Sequence, residues 1–243
     1  MKRLDQLLVL KGLAPTRSKA QQLIKHGLVR LSDGRIAKNP GLKLDDGITP
    51  LVEDHDLAKY VSRAALKLLG AVHDFGIDID DRVCIDLGAS TGGFSQVLLE
   101  HGASYIHAVD VGHGQLHESL RGHAKINNLE QTHVDKLRQR DLLPSPDLLT
   151  ADLSFISLRR ALSCPLQEFS QLRDLILLVK PQFELGPGRV NERGVVKDLE
   201  AGPEACQLVG DYLGLMGWTS LRQTMANLQG SDGNQEWVIW ATK

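Results

Sequence analysis

The sequence predicts a doubly wound α/β domain, its mostly parallel sheet closed by an antiparallel C-terminal hairpin, behind a small α+β unit. Three observations lead there. After residue 63, short apolar runs alternate with helical patterns, which implies parallel strands covered by helices on both faces. The first of those runs leads directly into a glycine-rich loop and then a helix, Val83 to Phe94. The charge is also divided: residues 1–50 hold ten Lys or Arg against four Asp or Glu, and the remainder holds 18 against 26, so a +6 segment precedes a −8 one. Such a split points to an anionic partner for the first segment.

The length of 243 residues suits one ordinary domain and a small one, and 24% charged with 42% hydrophobic residues suits a folded globular chain. No signal-peptide pattern follows the charged start, and the longest aliphatic run, Leu175 to Val179, is far too short to cross a bilayer. Cys84, Cys164 and Cys206 are odd in number and widely spaced, so they read as buried thiols of a cytoplasmic protein rather than a disulfide or zinc framework, and no metal site is expected.

In the first unit, Leu4, Leu7, Leu8 and Leu10 carry helical spacing that stops at Gly12. Thr16 is placed to cap a second helix, with Lys19 to Ile24 following and Gly27 ending it. Residues 28–31 read as a strand, Ser32-Asp33-Gly34-Arg35 as a hairpin turn, and a strand near 48–52 closes the unit. Residues 57–62 read as a linker between domains at 1–56 and 63–243. A helix is expected from Arg63 to Phe75. Strands are then expected at 82–87, 104–110, 147–151 and 174–179, with helices at 93–101, 114–121, 157–169 and 203–216. The closing hairpin, 218–225 with 235–242, turns at 230–233 and is expected to add an antiparallel strand at the edge.

The glycine loop reads Asp86-Leu87-Gly88-Ala89-Ser90-Thr91-Gly92-Gly93-Phe94. A dinucleotide fingerprint would want glycine where Ser90 stands, so that backbone could meet a pyrophosphate. The spacing suits a ligand without one, S-adenosylmethionine. Asp86 could then receive its amino group, and Asp110, at the end of the next strand, could hold two ribose hydroxyls.

Four polar residues stand where core-building logic would not put them. Lys67 interrupts an apolar helix, Asp152 and Lys180 follow apolar strands, and Glu236 precedes one. Ligands of open parallel sheets bind beyond the carboxyl ends of strands, so Asp152 and Lys180 belong at the site, and the start of an antiparallel strand lies on the same edge.

These stretches resemble the TlyA-type rRNA methyltransferases, some of them named hemolysins, whose catalytic half is FtsJ-like and whose front is an S4 domain. The S4 resemblance lies in Arg3-Leu4-Asp5, Gly12-Leu13-Ala14, Arg17-Ser18-Lys19-Ala20 and Ile24 to Val29; the rest lies in Tyr60 to Leu68, Asp86 to Phe94 and Asp110 to Leu116. It implies a class I methyltransferase fold and methylation of ribose 2′-hydroxyls of ribosomal RNA, at cytidine, with rRNA or ribosomal subunits as partner. No membrane and no obligate protein partner are expected. It implies a catalytic tetrad of Lys67, Asp152, Lys180 and Glu236. S-adenosylmethionine would be held by Asp86, Gly88, Ser90, Thr91, Gly92, Gly93 and Phe94, with Asp110, Val111, Gln115 and Leu116 from the second strand end. RNA would meet Arg3, Arg17, Lys19, Lys25, Arg30 and Arg63, and also Arg189 and Arg193 of the basic, glycine-rich loop 186–194. The chain departs from the family at His113, where an aromatic is usual, and at His133-Val134-Asp135.

A ribose hydroxyl is a poor nucleophile, so Lys180 could take its proton or, as an ammonium, stabilise the forming alkoxide. Three alternatives differ in their needs. A base-amino methylase would want a stiff Asp-Pro-Pro-Tyr type of loop, where this chain has Asp152-Leu153-Ser154-Phe155, and would have no use for the two lysines. A pore-forming hemolysin would leave the glycine loop idle. A catalytically inactive rRNA-binding factor would have no need of the tetrad.

Overall fold

The computed structural model describes residues 1–243 except 1, 26–27, 45–47, 53–58, 193, 197, 199 and 231, and it leaves out the side chains of Lys25 and Pro187. The chain divides into two compact units, Met1–Arg63 and Ala64–Lys243.

In the first unit, α1 spans Leu4–Leu10 and α2 spans Arg17–Lys25, and two antiparallel strands follow, β1 (Val29–Leu31) and β2 (Pro50–Val52). Leu4 and Leu8 of α1 and Ala20, Leu23 and Ile24 of α2 are buried, one apolar stripe from each helix forming the small core. Thr16 caps α2 as expected, its Oγ1 accepting from Lys19 N at 3.2 Å. The 32–35 turn is present, with Gly34 N donating to Leu31 O at 2.8 Å. Gly27 and residues 57–58 of the expected linker lie outside the described residues.

The second unit runs α3 (Ala64–Phe75), β3 (Val83–Leu87), α4 (Gly93–Glu100), β4 (Tyr105–Val109), α5 (Glu118–Arg121), β5 (Ile126–Leu129), β6 (Leu148–Ala151), α6 (Leu158–Ala161), α7 (Ser163–Glu168), β7 (Asp174–Val179), α8 (Pro181–Glu184), α9 (Ala201–Leu215), β8 (Ser220–Met225) and β9 (Trp237–Thr242). The sheet order is β5-β4-β3-β6-β7-β9-β8, parallel from β5 to β7. The hairpin closes the sheet with an antiparallel-paired edge strand, as expected, but its last strand lies inside the sheet. β9 pairs with β7 on one side and β8 on the other, and β8 is the edge.

Side chains alternate across this sheet. Ile85 and Leu87 of β3, and Leu175, Leu177 and Val179 of β7, join the core shared with α6, α7, α9 and Trp218. Cys84 and Asp86 point to the opposite face, where Ser95 of α4 meets Asp86. The five residues from Leu175 to Val179 are all buried, as a central strand covered on both faces requires, each worth ~2 kcal/mol of removed apolar surface.

Three further expectations shift. β5 was not expected, because Ile126-Asn127-Asn128-Leu129 lacks apolar alternation. It is an outer strand, and Asn127 Nδ2 lies 3.1 Å from Nδ1 of buried His107 on β4. The 114–121 helix shrinks to α5, because residues 112–116 form a loop instead. The 157–169 helix is broken at Leu162 into α6, capped by Ser157 Oγ, and α7. Of the cysteines, Cys84 and Cys206 are buried, but Cys164 is only half-buried, beside Arg138.

Candidate active site

Parallel strands ending side by side leave a crevice where neighbouring crossovers diverge, and here that point lies between β3 and β6. Gly88, just past β3, has φ +80°, and a side chain there would run into the backbone oxygen of Asp152, just past β6. The two chain segments therefore touch only because residue 88 is glycine. Beyond them opens a cavity of about 340 Å³ lined by Gly88, Ser90, Val109, Asp110, Val111, Gln115, Thr132, Val134 and residues 152–155.

Ser90 adopts a left-handed conformation, φ +48°. Its N–H donates to Asp110 Oδ2 at 2.8 Å, while Asp110 Oδ1 accepts from Gly112 N at 2.7 Å. Asp110 thus ties the β3 and β4 loops together and still has acceptor capacity toward the cavity. Ser90 Oγ donates to Gln115 Oε1 at 3.2 Å across the same mouth.

Not every expected cofactor residue faces this cavity. Asp86 is fully buried, and its oxygens accept from Ser95 Oγ at 2.7 Å and Thr150 Oγ1 at 3.0 Å. It points into the α4 side of the sheet rather than out of its end, which corrects its expected ligand contact. Thr91, Gly92, Gly93, Phe94 and Leu116 are likewise not among the lining residues. Gly92 and Gly93 start α4, Phe94 and Leu116 are buried, and Thr91 accepts from His117 N. They build the loop that the cavity rests on.

Burial pushes the Asp86 carboxyl up to about 6, against the lowering hydrogen bonds of Ser95 and Thr150. A raised folded-state pKa gives stability that is fully present below the unfolded value of 3.8 and lost as pH rises through about 6. The cost of the charged form is on the order of 3 kcal/mol above that. Asp86→Asn is therefore expected to gain stability relative to wild type as pH rises from 4.5 to 7.5. Urea midpoints of both proteins at the two pH values check this; a difference that does not change with pH would remove the titration.

Sequence reasoning missed Glu130. It follows the unexpected β5, and its carboxylate accepts from Gly114 N at 2.5 Å and Leu116 N at 2.9 Å. These N–H donors hold its carboxyl below the usual range. Glu130 fixes the loop that brings Gln115 to Ser90. Removing it leaves two amides without their acceptor, so Glu130→Ala should weaken S-adenosylmethionine binding about tenfold. Calorimetry giving the wild-type Kd would reject that role.

A second cavity, about 480 Å³, is lined by Ser154, Phe155, Lys180, Gln182, Phe183, Val190, Gly194, Asp232 and Glu236. The β7–β9 register, Val179 opposite Trp237, sets Lys180 beside Glu236 at the same sheet edge. Lys180 Nζ lies 2.6 Å from Asp152 Oδ1 and donates to Ser154 Oγ at 3.0 Å. Lys67, on α3, reaches Glu236 in a buried ion pair, with side-chain exposures of 8% and 4%. Burial raises the Glu236 carboxyl, opposed by the charges of Lys67 and Lys180. The structure thus brings Lys67, Asp152, Lys180 and Glu236 together from four separate elements.

Ser154 and Phe155 line both cavities. Phe155 is 91% exposed, has φ +65°, and lies 5.4 Å from the Phe183 ring, centroid to centroid. A large apolar side chain held in solvent by a strained backbone is costly, which marks a contact surface. Its only signal in the sequence is its place in the loop after Asp152.

The expected RNA residues divide. In the first unit Arg3 and Arg17 stand about half exposed, and both bond the carboxylate of buried Asp5, as does Gln21. Arg30 donates to Gly34 O at 3.0 Å. Lys19 is buried at 5% exposure, which corrects its expected presentation to phosphate, because it lies on the core side of α2 beside Ala20. Arg63 is half-buried; the Lys25 side chain and Arg193 lie outside the described residues. Arg189 is paired with Asp198 at 2.8 Å and Glu204 at 2.7 Å. Its charge is already met by two carboxylates, which corrects its expected availability to RNA.

A wider groove of about 710 Å³ between α9 and β8 contains none of the expected site residues. No group of three or more His, Cys, Asp or Glu among the described residues could hold a metal, and no described helix is long and apolar enough to cross a membrane.

Known proteins resemble the chain over both units. Residues 60–243 match the family described as FtsJ-like methyltransferase, and residues 2–47 match the S4 domain. The 16S/23S rRNA (cytidine-2'-O)-methyltransferase TlyA of Mycobacterium tuberculosis is 40% identical over 238 residues, covering 98% of this chain and 88% of its own. Hemolysin A of Brachyspira hyodysenteriae is 33% identical over 239 residues, covering 97% and 98%. Among solved structures, a hemolysin-named protein from Streptococcus thermophilus superposes with TM-score 0.77 at 32% identity, covering 100% of this chain and 88% of that one.

Proposed function

The chain belongs to the FtsJ-like methyltransferase family, and from that membership we propose that it methylates ribose 2′-hydroxyls of ribosomal RNA, at cytidine, using S-adenosylmethionine. The observation that carries this reading is the joining of Lys67 to Glu236 and of Lys180 to Asp152 by ion pairs, where Lys180 and Glu236 line a cavity that shares Ser154 and Phe155 with the one Asp152 lines.

The first cavity suits the cofactor. Asp110 offers acceptors for ribose hydroxyls; Val109, Val111, Val134 and Leu153 offer apolar walls for an adenine; and Gly88 lets backbone approach closely. When bound, S-adenosylmethionine supplies an electrophilic methyl group on a sulfonium. The remaining work belongs to the second cavity. In-line transfer to oxygen depends on positioning. Lys180, donating to Ser154 and facing Asp152, acts as a positive charge beside the oxygen as it loses its proton to solvent. Glu236, held by Lys67, orients the ribose. Phe155 offers an exposed ring face on which an unstacked base can rest, as single-stranded RNA recognition requires.

The first unit, proposed as residues 1–56, supplies RNA affinity through Arg3 and Arg17, which neutralise phosphate. Residues 57–62 connect it to the transferring domain, 63–243. The substrate is rRNA, presented in ribosomal subunits, and the place of action is the cytoplasm.

The test is incorporation of labelled methyl into ribosomal subunits followed by alkaline hydrolysis. A 2′-O-methyl group blocks cleavage at its own nucleotide, so label is expected in resistant dinucleotides. Label in mononucleotides would place the methyl on a base and reject the ribose reading. No incorporation at all would favour a catalytically inactive rRNA-binding factor.

A further inference from the structure

Asp232, in the loop between β8 and β9, lines the same cavity as Lys180, Glu236 and Phe155. A carboxylate there needs a reason, because a cavity that admits RNA works against its own anions. It is useful only where it faces hydrogen-bond donors.

Its posture is fixed. Oδ2 accepts from Gln182 Nε2 at 3.2 Å and from Asn234 Nδ2 at 2.8 Å, and Oδ1 accepts from Asn234 N at 3.2 Å. Asn234 is itself buried, and its amide also donates to Gly194 O. A carboxylate has about four acceptor positions, so these three bonds leave capacity for one more donor. A Cβ at Gly230 would stand 2.6 Å from Glu236 Oε1 and 2.8 Å from Asp232 Oδ1, so one glycine separates the tetrad carboxylate from this second one.

We infer that Asp232, held by Gln182 and Asn234, accepts the exocyclic amine of the target cytosine and so selects cytidine over uridine. The inference rests on the ribose reading above and names the residue that would choose the base. Cytosine presents an amine donor at its 4-position, where uracil presents a carbonyl acceptor. Uracil would therefore set one acceptor against another, and a site left with such a mismatch discriminates far more strongly than one that merely misses a methylene.

The experiment compares ribosomal subunits carrying C or U at the nucleotide that the wild type labels. Wild type is expected to favour C by about tenfold or more in kcat/KM. Asp232→Asn keeps the size and one acceptor oxygen but offers an amide donor that suits uracil. It should bring the two substrates within about threefold of each other, with S-adenosylmethionine affinity unchanged. If Asp232→Asn does not fold, as cofactor calorimetry would reveal, Gln182→Leu frees the carboxylate and should also narrow the ratio. An unchanged ratio in the folded variant, or a wild type indifferent to C and U, overturns the assignment. Label in mononucleotides overturns the ribose reading and the inference with it.

Discussion

Lys180→Ala is expected to lose methyl transfer by about a hundredfold or more, while binding S-adenosylmethionine as wild type does. Lys180 is not part of the cofactor cavity lining, so affinity has no reason to fall. Its structural cost is modest, because Asp152 keeps 18% side-chain exposure and water can take the place of the lost ammonium. What disappears is a preorganised positive charge held toward Ser154 and the second cavity. Such a group acts on charge that develops only in the transition state, so the loss should fall on kcat more than on KM. Labelled transfer beside cofactor calorimetry separates the two effects. A wild-type rate in Lys180→Ala would end the tetrad reading, even with ribose as the target.

The second large effect concerns the buried Lys67–Glu236 pair. Lys67→Met leaves a carboxylate among buried groups without its partner, which costs about 3–5 kcal/mol of stability. Replacing both, as Lys67→Met with Glu236→Leu, removes the uncompensated charge and should return stability near the wild-type value or above it. Both variants should be inactive. Trp218, Trp237 and Trp240 all lie in the second unit, so urea unfolding followed by tryptophan fluorescence reports on it. The deficit of the single variant has a direction in pH. Burial already raises the Glu236 carboxyl, and losing Lys67 raises it further. Its protonated form is then the one the fold prefers, so the deficit shrinks as pH falls and is fully expressed once pH exceeds the folded pKa. A single variant as stable as wild type would mean that the pair is solvated. A double variant as unstable as the single one would mean that packing, not charge, is what the site requires.

Pairing of this kind explains which features were legible in the sequence. A strand covered on both faces announces itself by a mostly apolar run, so β3, β4, β6 and β7 were readable within a residue or two, each of the first three with a single polar residue, and with them the strand-end places of Asp110, Asp152 and Lys180. The tetrad's members were visible one at a time, as charges where a core builder would not put them. An outer strand needs no such run, which is why β5, and Glu130 behind it, escaped notice. The glycine loop was legible as a loop, but whether each of its residues faces ligand or core was not.

The sequence by itself determined the alternation of strands and helices, the glycine loop after the first strand and the charge division between the two units. Only the tertiary structure decided where each polar side chain points. It turned Asp86 inward to Ser95 and Thr150, buried Lys19, matched Arg189 to Asp198 and Glu204, and set β9 inside the sheet so that Glu236 meets Lys67 across 169 positions of chain. The physical reason is range. Helical spacing, strand alternation and turn chemistry are settled by neighbours a few residues apart, whereas the partner of a charge is whatever the finished fold brings within about 4 Å of it.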